Sequence, residues 1–272
     1  MNNVIGSNIL RYRKEQNLTQ EELAKHLGIS YQAVSKWENE QTTPDLSLLP
    51  ALASILNVSI DRLMGYSHNF DPRSYYEESY KKDEYYWGIK PSDMCLKVLE
   101  MLPPTKPLKL LDIGCGEGKD SVFFARCGYY VSAFDISDAG IEKTKRLADK
   151  ANVFVDIFKA NIWDFRLEQK YDILFSSGAL HYIKPELKQE IFTNYKDFTN
   201  NNGINAMHCF VEKPFIKRPP GKETHSQQWK SGELLTLYHD WYIESTSEYV
   251  FDCNSGGIPH KHAANRVFAR KL

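Results

Sequence analysis

Three glycines at alternate positions, Gly114, Gly116 and Gly118, follow directly on an apolar run in Leu108-Lys-Leu-Leu-Asp-Ile-Gly-Cys-Gly-Glu-Gly118. Without a Cβ, the backbone there takes positive φ and approaches a bound molecule closely, while the amides of a following helix point at that molecule. Asp135 closes the next apolar run, Tyr130-Val-Ser-Ala-Phe-Asp135, close to the spacing of about 20 residues at which an acid meets ribose hydroxyls. The pair predicts a cofactor of nucleoside type. Asp112, one residue before the turn, separates the candidates: a carboxylate there repels the pyrophosphate of NAD but reaches the ammonium of the methionine tail of S-adenosylmethionine (SAM).

Strands and helices in alternation must carry these groups. Leu108, Leu110, Leu111 and Ile113 suit a strand buried on both faces. A helix over Lys119–Cys127 ends at Gly128, and Asp138 is the expected cap of a helix from Ala139 to Lys150. Further strands are expected over Val153–Phe158, Tyr171–Ser176 and Asn205–Val211, with a helix from Glu186 to Asn202. Such alternation predicts an α/β domain with a parallel sheet.

The series Asp112-Ile-Gly-Cys-Gly-Glu-Gly118, then Asp135, then Asn161-Ile162 resembles the motif series of class I SAM-dependent methyltransferases. The resemblance implies a Rossmann-like, seven-stranded, mostly parallel sheet with a reversed final strand, and SAM across the strand carboxyl ends. It implies cofactor contacts from Asp112, Gly114, Cys115, Gly116, Gly118, Asp135, Ile136, Asn161, Ile162 and Ser177. Within it, Asn161 hydrogen-bonds the adenine amino group, standing where Asp is commoner, and Ile162 with Trp163 sandwiches the purine. The transferred methyl belongs near Ser177-Gly-Ala-Leu-His-Tyr-Ile183. Neither an Asn/Asp-Pro-Pro-aromatic segment nor a Pro-Cys nucleophile occurs, so the helix-turn-helix does not by default make the chain a DNA methylase, which stays the weaker alternative.

Gln228-Trp-Lys-Ser-Gly-Glu-Leu-Leu235, Tyr238, Trp241-Tyr242 and Asn265-Arg-Val-Phe-Ala-Arg-Lys271 are similar to tellurite-resistance (TehB-type) methyltransferases, a likeness running from about Tyr75 to the end. It implies that basic residues among His260, Lys261, His262 and Arg266, expected just before the last strand, face an oxyanion acceptor; His181 can take a proton. His181, His260 and Arg266 are therefore the candidate catalytic groups. No metal is assigned, because His260 and His262 are two of the roughly four donors a zinc site needs.

Ahead of this domain, residues 5–65 read as short helices. Thr19 and Glu22 form a capping box opening Gln20–Leu27, Gly28 stops that helix, and Ser30 is the expected cap of Tyr31–Glu38. Val34 and Trp37 point inward, leaving Tyr31, Gln32, Ser35 and Lys36 outside. Through Leu18-Thr-Gln-Glu-Glu-Leu-Ala24, Gly28-Ile-Ser30, Val34-Ser-Lys-Trp-Glu-Asn39, Pro44 and Asp61-Arg-Leu-Met-Gly65, the stretch closely resembles the Cro/C1 (XRE) family of helix-turn-helix DNA-binding domains. The resemblance makes Tyr31, Gln32 and Lys36 readers of base edges on a double-stranded operator, beside Ser35, with Gln20 and Asn39 on phosphates.

Six basic residues (Arg11, Arg13, Lys14, Lys25, Lys36, Arg62) meet seven acidic ones (Glu15, Glu21, Glu22, Glu38, Glu40, Asp45, Asp61) over residues 1–65. Phosphate neutralisation supplies most non-specific affinity, so this slightly acidic head needs a homodimer for useful binding. The organisation expected is a DNA-binding domain over 1–66, a connector rich in rings over 67–91 whose Tyr75, Tyr76 and Trp87 can cover the cofactor, and a methyltransferase domain over 92–272 acting on a small-molecule acceptor.

Composition agrees with this partition. The 272 residues are 42% hydrophobic, enough for a sizeable core, and no run of about 18 apolar residues spans a membrane or leads an export signal, so the expected place is the cytoplasm. Five scattered cysteines without a C-x-x-C pair read as reduced thiols, mostly buried.

Overall fold

The computed structural model describes residues 5–64, 72–216, 229–253 and 259–272. The chain divides into two compact units, 1–71 and 72–272, so the ring-rich stretch from residue 72 belongs to the larger one.

The smaller unit holds α1 (Ile5–Glu15), α2 (Gln20–Leu27), α3 (Tyr31–Glu38), α4 (Leu49–Ile55) and α5 (Ile60–Leu63). Ile9, Leu23, Val34, Leu52, Leu56 and Leu63 are fully buried in its core, with Trp37 beside them. The capping box forms: Thr19 Oγ1 accepts from the Glu22 amide and the Glu22 carboxylate accepts from the Thr19 amide. Gly28 stops α2 at φ 68°, in the left-handed region glycine favours. Ser30 occupies the cap position of α3 without a side-chain cap hydrogen bond, a correction to the expectation.

The larger unit runs α6 (Pro72–Tyr80), α7 (Asp93–Met101), β1 (Lys109–Ile113), α8 (Lys119–Cys127), β2 (Tyr130–Asp135), α9 (Asp138–Lys150), β3 (Asp156–Lys159), β4 (Tyr171–Ser177), α10 (Lys188–Asp197), β5 (Thr199–Val211), α11 (Glu233–Thr236), β6 (Tyr242–Cys253) and β7 (His260–Arg270). The sheet order is β3-β2-β1-β4-β5-β7-β6. The first five strands are parallel, and β7 is antiparallel to both β5 and β6. This is the expected seven-stranded Rossmann-like sheet with a reversed final strand. Leu110 faces one apolar layer and Leu111 and Ile113 the other, as a strand covered on both faces requires.

Several boundaries differ from expectation for tertiary reasons. Residues 153–155 are not strand: pairing with β2 begins at Asp156, opposite Ser132, and Phe154 is exposed. Helix α10 stops at Asp197 and the chain enters β5 at Thr199, held by pairing with Tyr171; a register shift follows, with Asn202 at φ 63°. Ser137, not Asp138, caps α9, accepting from the Gly140 amide at 3.0 Å. The His260–His262 segment lies inside the last strand, because β6 supplies a ladder that reaches Cys253.

Among the described residues no helix is long and apolar enough to cross a membrane. All five cysteines are free thiols; only Cys95 and Cys209 are fully buried, so "mostly buried" overstated the other three.

Candidate functional site

A cavity of about 520 Å³ opens at the carboxyl ends of the parallel strands, within the roughly 300–1,000 Å³ range of small-molecule sites. One wall comes from the turn after β1 and the ends of β2, β3 and β4. The other comes from β5, β6 and β7, through His208, Phe210, Tyr249, Phe251 and Arg266.

The first wall is held by backbone. Gly114 and Cys115 amides both donate to the Phe134 carbonyl at 3.0 Å, and the Gly118 amide donates to the Cys115 carbonyl at 3.0 Å. The Asp135 carboxylate accepts from the Gly116 amide at 2.8 Å and the Ser137 amide at 2.9 Å. These turn amides are spent inside the protein, so the turn meets the cavity with bare Cα surface. At Gly114, φ is 70° and an added Cβ would lie 2.3 Å from the Ala179 Cβ. Burial raises the Asp135 carboxyl above its usual range, opposed by the two amides it holds.

Asp112 is buried and accepts from Ser121 Oγ at 2.5 Å. Burial, reinforced by the charge of Asp120, pushes its carboxyl up to about 7. A cation placed beside it would restore the ionised form.

Tyr76, Tyr80 and Trp87 line the cavity as a cluster of rings. Tyr76 stacks on Tyr80 with centroids 5.5 Å apart and donates to or accepts from Tyr182 through a hydroxyl pair at 2.8 Å. Trp87 Nε1 donates to the Tyr80 hydroxyl at 3.0 Å. Glu77 ties α6 to α9, accepting from Ser137 Oγ at 2.6 Å and from the Ala139 amide at that helix start. The side chain of Tyr75 lies outside the described residues, as do residues 217–228 of the segment between β5 and α11, Gln228 included.

Of the predicted site residues, the fold brings Asp112, Gly114, Cys115, Gly116, Asp135, Ile136, Asn161, Ile162, Ser177, His181 and Arg266 to this one cavity. Gly118 and His260 stand outside its lining. Gly118 serves packing: an added Cβ would lie 2.4 Å from Thr144 of α9. Trp163 also stays outside the lining; its indole donates to the Tyr182 carbonyl at 2.6 Å, and its amide donates to Asn161 Oδ1 at 3.0 Å. That leaves Asn161 Oδ1 one further lone pair.

Sequence reasoning missed His208. It is buried on β5 with Nδ1 lacking a hydrogen-bond partner, and burial, then the charge of Arg266, pushes its pKa down to about 4. The inward alternation of β5 is the signal that points to it: Cys209 faces one core layer and His208 the cavity. Arg266 lies with its guanidinium 4.6 Å from the Tyr249 ring centroid, and its Nη1 donates to Asp93 at 2.6 Å. His181, buried after β4, stacks on Phe210 at 4.6 Å.

In the smaller unit, α3 presents Tyr31, Gln32 and Lys36 to solvent with Ser35 half-buried. Asn39 donates to the Ser35 carbonyl at 2.9 Å, closing the helix. Gln20 Nε2 donates to Glu38 Oε2 at 2.7 Å, which fixes its amide at the start of α2. Glu38 also receives Arg13 through Nε and Nη2, so one cation and one anion of the head neutralise each other internally.

Strand order, reversed last strand and a glycine turn braced by an acid at the end of β2 define the class of SAM-dependent methyltransferases. A family model described as tellurite resistance protein TehB matches residues 75–265, and one described as helix-turn-helix matches residues 9–63. The chain belongs to the TehB family, with an XRE-type helix-turn-helix domain in front, and its cofactor is SAM.

Among its relatives is a probable SAM-dependent methyltransferase TehB of Haemophilus influenzae, 26% identical over 200 residues, covering 71% of this chain and 68% of that protein. A second strain's TehB is 27% identical over 171 residues, and the chain spans 58% of its length. The head is 40% identical over 52 residues to the HTH-type transcriptional activator BcrR of Enterococcus faecalis, across 19% of this chain and 26% of that one. The fold matches the crystal structure of Haemophilus influenzae TehB with a TM-score of 0.59 at 20% identity, covering 74% of this chain and 67% of that one. It also matches a structure described by the conversion of a disulfide bond into a thioacetal group during echinomycin biosynthesis, with a TM-score of 0.56 at 18% identity and coverages of 74% and 92%.

The cavity fits SAM by its own features: a glycine turn with no room for a Cβ at Gly114, a buried acid raised by desolvation and the charge of Asp120, and a fixed carboxylate at the end of β2.

Proposed function

We propose that the protein transfers the methyl group of SAM to a small anionic or polar acceptor, and that its head reads a DNA operator, making it a transcriptional regulator of the cytoplasm that works as a homodimer. In this reading residues 1–66 bind DNA, 67–91 form the lid and 92–272 carry the transfer. The observation that carries it is the Asp135 carboxylate, braced by the Gly116 and Ser137 amides at the mouth of the cavity.

When bound, SAM supplies an electrophilic methyl on a sulfonium. The chain's residues contribute position and dryness more than acid–base chemistry. Gly114, Cys115 and Gly116 offer bare backbone; Asp135 takes ribose hydroxyls, Asp112 an ammonium, and Asn161 with Ile162 the adenine edge, flanked by Ile136 and Ser177. Tyr76, Tyr80 and Trp87 exclude water. On the opposite wall Arg266 orients an anionic acceptor. His208, neutral at physiological pH, and His181 hold or take an acceptor proton. On the head, Tyr31, Gln32, Ser35 and Lys36 meet base edges while Gln20 and Asn39 meet phosphates.

Two measurements test this. In calorimetry, SAM and S-adenosylhomocysteine should bind, and Asp135→Ala should lose about a hundredfold in affinity, comparable to about 3 kcal/mol; an unchanged value would remove Asp135 from the site. With radiolabelled SAM and cell metabolites, label should reach a small molecule. If none is labelled while operator binding shifts with SAM, the domain is a sensor. That second reading draws on the likeness of the head to a transcriptional activator.

A further inference from the structure

The β6–β7 hairpin carries a second constellation. Cys253 of β6 stands directly opposite His260 of β7, and His262 lies two residues further along the same strand. Directly paired residues of an antiparallel ladder project from the same face, as do residues two apart on one strand, so all three side chains leave the sheet on one side. Their sulfur and ring-nitrogen ligand atoms lie within 4.8 Å of one another. His260 Nε2 and His262 Nε2 are 2.8 Å apart, with the rings nearly perpendicular at 82°. His262 is buried and its ring lies flat on Phe210, 4.6 Å away at 6°.

We propose that Cys253, His260 and His262 bind a divalent transition metal of the zinc class, the ion replacing the direct contact between the two imidazoles. One thiolate and two imidazoles are the donors such borderline ions take, and three protein ligands leave a fourth position for water or another oxygen donor. Two nitrogens each about 2.0–2.1 Å from a shared tetrahedral ion sit about 3.3 Å apart, so the rings need part by only about half an ångström. Binding removes the thiol proton, which leaves to solvent, and gives both rings a common tautomer with Nε2 lone pairs on the metal. The ion pins the end of the β6–β7 hairpin and holds the His262 ring against Phe210, a wall of the cavity. The site depends on the hairpin alone and stands whether or not the methyl-transfer reading does. In its absence, the two rings share an N–H···N hydrogen bond.

The full chain, stripped with chelator and kept reduced under nitrogen, is titrated with Co²⁺. One equivalent should bring up a near-ultraviolet thiolate-to-cobalt band together with visible bands of tetrahedral intensity, and Zn²⁺ should bleach both. Cys253→Ser should abolish the thiolate band, and His260→Gln should weaken Zn²⁺ at least about tenfold against a chromophoric chelator, in line with the loss of one donor. Cys127→Ser, a half-buried thiol on α8, should leave the spectrum unchanged. No band in the wild-type chain, or a band retained in Cys253→Ser, overturns the proposal, and neither result depends on how well a variant turns over.

Discussion

The two walls of the cavity are built differently. On one wall, the Gly114, Cys115 and Gly116 amides are fixed by bonds to the Phe134 carbonyl and the Asp135 carboxylate at the end of the neighbouring strand. On the opposite wall, His208, Phe210, Tyr249, Phe251 and Arg266 come from three strands and are fixed by ring stacking and an ion pair from Arg266 to Asp93. A wall fixed through backbone tolerates little change but offers one shape. A wall of side chains on a ladder can be repopulated without moving the strands, which is the arrangement suited to a common cofactor and a particular acceptor.

The largest expected effect strikes the rigid wall. Gly114→Ala forces a Cβ to 2.3 Å from that of Ala179 while φ stays at 70°, so the turn or the segment after β4 must move. Strain of this kind costs about 1–3 kcal/mol, and with the displaced floor SAM affinity should fall about a hundredfold by calorimetry. Retained affinity would show that the floor yields as easily as the other wall.

A smaller, selective effect is expected from Arg266→Met. SAM affinity should stay within about twofold, while kcat/KM for the acceptor falls about tenfold to a hundredfold, the range for removing one partner of a partly buried charge pair. Equal losses in both would erase the division between the walls.

The smallest effect concerns pH and Asp112. Its carboxyl is raised to about 7, so in the free protein the neutral form is favoured below that pH, and its contribution to stability is present below about pH 4 and lost as pH rises through 7. A bound ammonium reverses that preference. Binding SAM at pH 6.5 should therefore release a proton, read as a dependence of the binding heat on buffer ionisation, and affinity should rise about threefold to tenfold between pH 6 and 7.5. A heat independent of buffer would take the ammonium away from Asp112.

Much of the cofactor wall was legible because its determinants are local. The Asp112–Gly118 turn needs glycine at positive φ, and Asp135 ends the strand beside it. The head was legible for the same reason, since a capping box and an amphipathic octamer are written within a few residues. The packing of Gly118 against Thr144 was not legible, because it depends on where α9 comes to lie. The place of Trp163 outside the cavity lining, its indole N–H donating to the Tyr182 carbonyl, was not legible because it joins two different loops.

The sequence by itself determined the class of fold, the cofactor and the helix-turn-helix head, because each rests on short-range patterns of glycine, apolar residues and caps. Only the tertiary structure decided that the turn amides are spent internally, that His208 lines the cavity, and that Cys253 meets His260 and His262. Those outcomes follow from the register between β5, β7 and β6, and register is set by which faces the sheet buries, a property of the whole assembly of strands that no single segment encodes.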